Sequence, residues 1–184
     1  MLRRTRITSD AAALNVDYLV ERTALTSPAI ALGTDRRLGA AGIVQELLID
    51  MIDLSLQGKQ AHWNLRGRMF RDLHLLLDDL VKEAGGAADR LAERCLALGV
   101  AADSRVATVA YFTHLEPFPP GRIEDRHVVD LMVTRLHAIS EVGRSHLGYL
   151  GELDPVSQNL VSEVLVGVEK NLWMFEAHQP IETS

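Results

Sequence analysis

The sequence predicts an all-α protein, a four-helix bundle with one long middle connection. Apolar residues recur at helical spacing over four long segments. Hydrophobic residues make up 47% of the chain but aromatic residues only 5%, a composition that favours helices over a strand-rich sandwich. A length of 184 residues matches one domain with one core. These observations predict the fold class but no function.

Before the first helix, residues 1–36 are expected to form an N-terminal arm, since residues 1–10 are basic and polar and the stretch up to Arg36 shows no sustained periodicity. We expect this arm to be partly mobile. The bundle domain is predicted over residues 37–179, followed by a short tail, 180–184. The first helix is predicted over residues 37–65, where apolar residues recur every seven positions, and Gly67 ends it.

The second helix is predicted over residues 70–98, with an apolar stripe that begins at Phe70. Gly85 and Gly86 in its middle lower local helix propensity by about 1 kcal/mol each relative to Ala. Small residues at this point also let another helix approach closely.

The connection over residues 99–123 contains three prolines and is expected to include a short helix at 104–110. The third helix is predicted over 124–153. The fourth begins with Asp154 as N-cap and proline at the first helical position, and it continues to about residue 178. Because the middle connection is long, the bundle has room for a crossover.

Composition also excludes several classes of protein. The single cysteine, Cys95, excludes an internal disulfide framework and a cysteine-rich zinc site, and it fits a reducing, cytoplasmic location. With no stabilised thiolate in view, Cys95 is expected to be inert. No run of apolar residues is long enough for a membrane span, and a net charge of −6 repels nucleic acid unless a basic segment acts locally.

Two pairs of metal-ligating residues lie on the second helix. His74 and Asp78 share one face at i,i+4 spacing, and so do Asp89 and Glu93. The centres of the pairs are about 22 Å apart along a helix, so no single metal ion binds both within one chain. If two copies meet antiparallel about a two-fold axis near residues 83–84, the pair of one copy faces the other pair of its partner, and two equivalent sites result.

His62, at the end of the first helix, adds a second imidazole to each such site. Two imidazoles with three carboxylates suit Fe(II), with Mn(II) or Zn(II) as possible competitors. Each residue also has an ordinary interpretation: the acids as solvated or helix-stabilising charges, and His62 as a hydrogen-bonded core histidine. The joint spacing of all five favours the metal site.

The segments KQAHWNLRGRMFRDLHLLLDDL (59–80) and DRLAER (89–94) resemble the Dps family, the ferritin-like mini-ferritins named as DNA-binding proteins from starved cells. The resemblance implies a ferritin-like four-helix bundle that assembles into a hollow dodecamer. It also implies ferroxidase activity: Fe(II) is oxidised to Fe(III) with hydrogen peroxide or dioxygen, and the ferric mineral is stored inside, which protects against oxidative damage. The implied ligands are His62, His74 and Asp78 of one subunit with Asp89 and Glu93 of its two-fold neighbour.

The resemblance implies further roles at positions outside the ligand set. Lys59 is expected near the site, and the two tryptophans are expected close enough to intercept radicals, although packing in the core or an interface explains them equally well. Three acids are candidates for a three-fold pore, each with the ordinary alternative of an exposed acid. The tryptophans are Trp63 and Trp173, and the pore candidates are Glu141, Glu152 and Asp154.

DNA binding is the alternative function, because the family commonly uses basic tails. Here the basic cluster is Arg3, Arg4 and Arg6, and twelve copies of such an arm would gain avidity for a polyanion. The acidic net charge opposes this, so DNA binding, with the nucleoid association it would bring, is not favoured. A third possibility is a purely structural bundle with neither activity.

Overall fold

The computed structural model describes residues 30–179, which form five helices and two short strands. The order is α1 (Thr34–Asn64), β1 (Leu65–Arg66), α2 (Phe70–Ala97), α3 (Val106–Phe112), β2 (Ile123–Glu124), α4 (Asp125–Leu153) and α5 (Pro155–Glu176).

The four long helices form the bundle that the sequence predicts. α1 packs mainly against α2, α4 packs against α5, and α1 also contacts α4. One continuous core of leucine, valine, alanine and isoleucine side chains joins all four, with Leu54, Leu77 and Leu136 fully buried. The predicted fold class is therefore confirmed.

Helix boundaries differ slightly from those expected. α1 begins at Thr34 instead of residue 37, so the last residues assigned to the arm are helical. The short helix begins at Val106 and not at 104, and α5 ends at Glu176 instead of 178. The remainder of the arm, 1–29, and residues 180–184 lie outside the described residues.

A tight turn joins α1 to α2 and fixes the end of α1. Gly67 has φ +137°, and a Cβ at this position would overlap the carboxylate of Asp125. That carboxylate accepts a hydrogen bond from the Met69 amide at 2.8 Å. Parallel pairing of β1 with β2 brings Leu65 beside Ile123. The last turn of α1 and the first turn of α2 are therefore held against the start of α4.

Buried polar side chains tie the long connection to the bundle. Arg135 of α4 donates to the side chain of Gln57 and to the Glu116 carbonyl, and its guanidinium lies 5.0 Å from the ring centre of Phe118. Gln45 exchanges two 2.8 Å hydrogen bonds with the backbone of Asp103. Over residues 30–179, no helix combines the length and hydropathy that crossing a membrane requires.

Candidate metal centre

Two histidines meet where α1 ends and α2 begins. The rings of His62 and His74 stack with centroids 3.6 Å apart and planes 22° apart. His62 is buried, with 7% of its surface exposed, whereas His74 is half-buried. The Phe70 ring stacks on the other side of His74 at 5.1 Å. The expectation that Phe70 lies in the core stripe is wrong: it is 44% exposed, because it covers the histidine pair instead.

Each imidazole contacts the backbone of the other histidine. Nδ1 of His62 is 3.0 Å from the His74 carbonyl oxygen, and Nδ1 of His74 is 3.2 Å from the His62 carbonyl oxygen. A carbonyl oxygen only accepts, so Nδ1 carries the proton in both rings. In a neutral imidazole this leaves the lone pair on Nε2, the arrangement that ligating histidines adopt.

Asp78 supplies a carboxylate one turn beyond His74. Its Oδ1 lies 3.4 Å from Nδ1 of His62 and 2.5 Å from Nζ of Lys59. The Lys59 ammonium lowers the pKa of Asp78 through this hydrogen bond, with a smaller contribution from the charge of His62. The Asp78 side chain is 44% exposed, so its carboxylate is accessible from solvent.

Ligand atoms of His62, His74 and Asp78 all lie within 4.8 Å of one another, which is true of no other group of three or more His, Cys, Asp or Glu in the described part of the chain. Two nitrogens and one carboxylate make an incomplete set for a first-row divalent ion, which leaves positions for further ligands. The donor types fit iron, manganese or zinc.

Asp89 and Glu93 do not join this cluster within one chain. Both are exposed on the other half of α2, and over residues 30–179 neither carboxylate has a hydrogen bond or an ion pair. Their neighbours Arg90 and Arg94 point the other way, toward α5: Arg90 is 3.1 Å from Glu163, and Arg94 is 2.5 Å from Asp154.

One stripe along α2 combines these carboxylates with exposed glycines and leucines. At 100° per residue its members fall within about one third of the helix circumference. A Cβ added to Gly85 or Gly86 would contact nothing within 4 Å. The members of the α2 stripe are Leu75, Asp78, Lys82, Gly85, Gly86, Asp89, Glu93 and Leu96, all of them exposed or half-exposed.

The tryptophans expected near the site are both on the surface. Trp63 is 72% exposed and follows His62 directly, and Trp173 on α5 is 67% exposed. Packing in the core of a single subunit is therefore excluded for both. Packing in an interface and interception of radicals stay predictions.

The three pore candidates have different environments. Glu141 and Glu152 are exposed, and their assignment stays a prediction. Asp154 is 5% exposed and caps α5, as its position before Pro155 predicts: its carboxylate accepts from the amides of Val156 and Ser157 and pairs with Arg94. These contacts give Asp154 a capping role, and its assignment to a pore stays a prediction.

Cys95 lies on the core side of α2 and is fully buried. Burial raises the pKa of its thiol to about 12, so the reactive thiolate is scarce at neutral pH. This environment agrees with the expectation of an inert thiol. Arg3, Arg4 and Arg6 lie outside the described residues.

Residues 43–180 match the family described as the ferritin-like domain. Among curated proteins, the chain is 32% identical to DNA protection during starvation protein 2 of Deinococcus radiodurans over 80% of its own length and 61% of that protein's. It is also 32% identical to the DNA protection during starvation protein of Agrobacterium fabrum, over 74% of this chain and 85% of that protein. The chain thus spans less than two thirds of the D. radiodurans relative.

Solved structures of similar proteins share this fold. Dps from Microbacterium arborescens, in a structure of its high iron form, superposes with a TM-score of 0.77 at 35% identity, covering 84% of this chain and 98% of that chain. DpsC from Streptomyces coelicolor superposes with a TM-score of 0.80 at 28% identity, over 86% of this chain and 95% of that chain.

Proposed function

The chain belongs to the Dps family of ferritin-like proteins, and from this premise we propose that it is a ferroxidase that stores iron. Its substrate is Fe(II), bound between two subunits by His62, His74 and Asp78 of one and by Asp89 and Glu93 of the other. The observation that carries the proposal is the half-complete cluster His62–His74–Asp78, together with two unpartnered carboxylates on the same helix.

The α2 stripe supports antiparallel pairing of two subunits, with the crossing between Gly85 and Gly86 instead of near residues 83–84. Leu75 and Leu96 lie equally far from the midpoint between Gly85 and Gly86, and so do Asp78 and Glu93. Two antiparallel copies that cross at the glycines would place each Asp78 beside the partner's Glu93. Lys82 would then oppose Asp89, which pairs opposite charges, and glycines at the crossing permit close contact of the two backbones.

Charge favours the same arrangement. Within one chain, Lys59 balances Asp78, and the two imidazoles contribute no negative charge, so the cluster has little net attraction for a cation. Glu93 of the neighbour would bring a negative charge directly to Fe(II), and Asp89, one turn away and opposite Lys82, would add part of a second. Carboxylates also stabilise the third charge of Fe(III), which favours oxidation of the bound ion.

The proposed reaction couples two ferrous ions to one peroxide. Two Fe(II) each lose one electron, and H₂O₂ with two protons takes up both electrons to give two H₂O. The two-electron reduction avoids release of hydroxyl radical. His62, His74, Asp78 and the partner's Glu93 bind the first ion, and Asp89 assists through a water molecule or holds a weaker second ion. With dioxygen as oxidant, two Fe(II) each lose one electron, and O₂ with two protons takes up both electrons to give H₂O₂.

Storage requires that the subunits enclose a space. We propose a dodecameric shell, in which interior carboxylates nucleate the ferric mineral and protect the cell from oxidative damage. Exposed Leu56 (59%), Leu75 (49%) and Tyr111 (75%) are large apolar groups that assembly would cover. Zn(II) and Mn(II) are expected to compete with Fe(II) for the histidine nitrogens.

The test mixes apo protein anaerobically with Fe(II), adds peroxide and follows ferric absorbance in the parent and in a His62→Ala/Glu93→Ala variant that still assembles. We expect the variant to lose fast oxidation by about 100-fold or more, since ligand loss exceeds the 10–100-fold cost of losing a supporting contact. His127→Ala/Asp130→Ala removes an exposed histidine and an exposed acid from α4 and should keep the parent's rate. Equal, slow oxidation in all three proteins would contradict the proposal.

DNA binding is a second candidate function, favoured by the Arg3, Arg4 and Arg6 cluster. A salt-sensitive gel shift that disappears on deletion of residues 1–6, while iron oxidation persists, would support it. The net charge of −6 opposes this function. We expect the parent to give no shift at physiological salt.

A further inference from the structure

A second cluster of histidine and carboxylate side chains lies between α1, α4 and the start of the connection after α3. Glu46 and Asp50 lie one turn apart on α1, His114 follows α3, and His146 lies on α4. Nε2 of His114 is 3.1 Å from Oε1 of Glu46, and Nε2 of His146 is 3.1 Å from Oε2 of the same carboxylate. Two imidazoles from different elements thus face one buried acid.

Glu46 is the unusual member of this cluster. It is 4% exposed, yet in the described part of the chain neither carboxylate oxygen has a hydrogen-bond partner. The imidazole contacts have the length of hydrogen bonds but not their alignment. A buried carboxylate without hydrogen bonds costs free energy unless something else neutralises and coordinates it.

Asp50 fixes the orientation of His114. The acid is fully buried, its Oδ2 lies 2.8 Å from Nδ1 of His114, and its Oδ1 accepts the His114 backbone amide at 2.9 Å. A carboxylate on Nδ1 is the supporting contact that ligating histidines commonly have, and it directs Nε2 to the metal. Here Nε2 points to Glu46.

Without a metal ion, a proton supplies the positive charge in this cluster. The contacts of Nδ1 with the Asp50 carboxylate and of Nε2 with the Glu46 carboxylate raise the pKa of His114 to about 10, more than burial lowers it. Burial raises the pKa of Glu46, but its contacts with His114 and His146 outweigh burial and lower it to about 2.

We propose that Glu46, His114 and His146 bind a divalent transition-metal ion, with Asp50 orienting His114 as a positioning residue. Two imidazoles and one carboxylate form a ligand set that Zn(II), Co(II) and Fe(II) all accept. Ligand atoms bonded to one such ion lie about 3.0–3.4 Å apart when the bonds are about 2.0–2.1 Å. Each nitrogen–oxygen distance to Glu46 is 3.1 Å and agrees with this spacing, with one imidazole at each carboxylate oxygen.

The proposed site is separate from the centre at His62. Glu46 precedes His62 by more than four turns of α1, about 24 Å along the axis. Its donor atoms are spread more widely than those of the first cluster, so binding of one ion by all three side chains requires rotation of an imidazole. The side chains of His114 and His146 are 28% and 22% exposed, which gives them room to rotate and gives the ion access.

All four residues belong to one chain, so this site does not depend on assembly. A bound ion would join the segment that contains His114 to both α1 and α4. The described structure holds that segment by hydrogen bonds from Thr113 and His114 to acids of α1. Metal binding is therefore expected to stabilise the folded chain in proportion to ion concentration.

The test titrates Co(II) into protein in which the first site is removed by His62→Ala/His74→Ala. We expect one Co(II) per subunit, seen as visible absorption of the coordinated ion and counted by equilibrium dialysis. Adding Glu46→Gln or His146→Asn should weaken this binding at least tenfold. His137→Asn is the matched control, because His137 on α4 also contacts an acid, Glu176 at 3.3 Å, but at an exposed position.

A second measurement keeps the test independent of how Glu46→Gln folds. Zn(II) should raise the thermal unfolding temperature of the His62→Ala/His74→Ala protein and of its His137→Asn derivative, but not of its His146→Asn derivative. Absence of stoichiometric Co(II) binding would overturn the proposal, and so would binding and Zn(II) stabilisation that His146→Asn leaves unchanged.

Discussion

The two halves of α2 carry similar side chains in different surroundings. In the first half, Asp78 lies in a cluster with His62, His74 and Lys59, which α1 holds in place. In the second half, Glu93 has the same kind of exposed carboxylate, but nothing in the described part of the same chain contacts it. α1 ends beside the first half, whereas the helix that begins beside the second half, α5, contacts Arg94 and not Glu93.

This difference shows why one subunit is insufficient for the proposed chemistry. The first half of α2 offers histidine nitrogens in a fixed orientation but little net negative charge. The second half offers negatively charged carboxylates that no hydrogen bond or ion pair of the described chain orients. Each half supplies what the other lacks. The predictions below change one half, or the contact between them, and range from the largest expected effect to the smallest.

Gly86→Leu should prevent pairing of the two halves. A Cβ at this exposed position has no atom within 4 Å in its own subunit, so the subunit should fold. At the proposed crossing of two helices it would separate the backbones, and we expect loss of the dimer and of fast iron oxidation together. Light scattering coupled to size-exclusion chromatography measures the first effect, and ferric absorbance measures the second.

Gly148→Leu is the control for this substitution. Gly148 also has no atom within 4 Å of an added Cβ, but it lies on α4, away from the α2 stripe. This variant should keep the two-fold contact and the oxidation rate. A Gly86→Leu protein that dimerises and oxidises iron like the parent would rule out a crossing at these glycines.

Asp154→Ala should lower the free energy of unfolding without lowering iron oxidation. Its partner Arg94 lies on the side of α2 that packs toward α5, away from the α2 stripe. Loss of the helix cap and of a buried ion pair should cost about 3 kcal/mol. Burial raises the pKa of Asp154, but hydrogen bonds from Ser157 and Arg94 outweigh burial and lower it. The stabilisation is therefore present above the ordinary pKa of an aspartate and is lost as the pH falls below it.

Thermal unfolding of the parent and of Asp154→Ala measures this effect. The difference between their melting temperatures should be largest near pH 7 and should shrink toward pH 3. A normal melting temperature with slower admission of iron would instead favour the pore assignment of Asp154.

Lys59→Met should change how the rate of iron oxidation falls at acidic pH. Lys59 lowers the pKa of Asp78, so the carboxylate stays ionised to lower pH in the parent. Without the ammonium the pKa rises toward its ordinary value, and the loss of activity on acidification should begin at higher pH. At pH 7, where Asp78 is ionised in both proteins, removal of a like charge should strengthen Fe(II) binding a few-fold. Initial rates measured against pH and against Fe(II) concentration test both effects. If the loss of activity on acidification begins at the same pH in both proteins, Lys59 does not act on the site.

Local spacing made most of the fold and one site predictable. The helical periodicity and the Asp154–Pro155 cap predicted four long helices with ends close to those observed. His74 and Asp78 lie on one helix turn, and the short Gly67 turn brings His62 to them, so their proximity follows from geometry over a few residues.

The second cluster could not be predicted in this way. Glu46 and His146 are far apart in the sequence, and they come close only because α1 packs against α4. His114 reaches them because the connection after α3 folds back onto α1. No periodic pattern encodes such contacts, which depend on how the helices and the connection pack.

Mixing two inactive variants tests the intersubunit site most directly. One variant, His62→Ala/His74→Ala, keeps the acids of the second half, and the other, Asp89→Ala/Glu93→Ala, keeps the cluster of the first half. When the two are co-expressed and assemble at random, half of the dimers are mixed, and each mixed dimer has one intact site. We expect about a quarter of the parent's oxidation rate, while each variant alone gives none. No recovery in mixed assemblies would contradict a site shared between subunits.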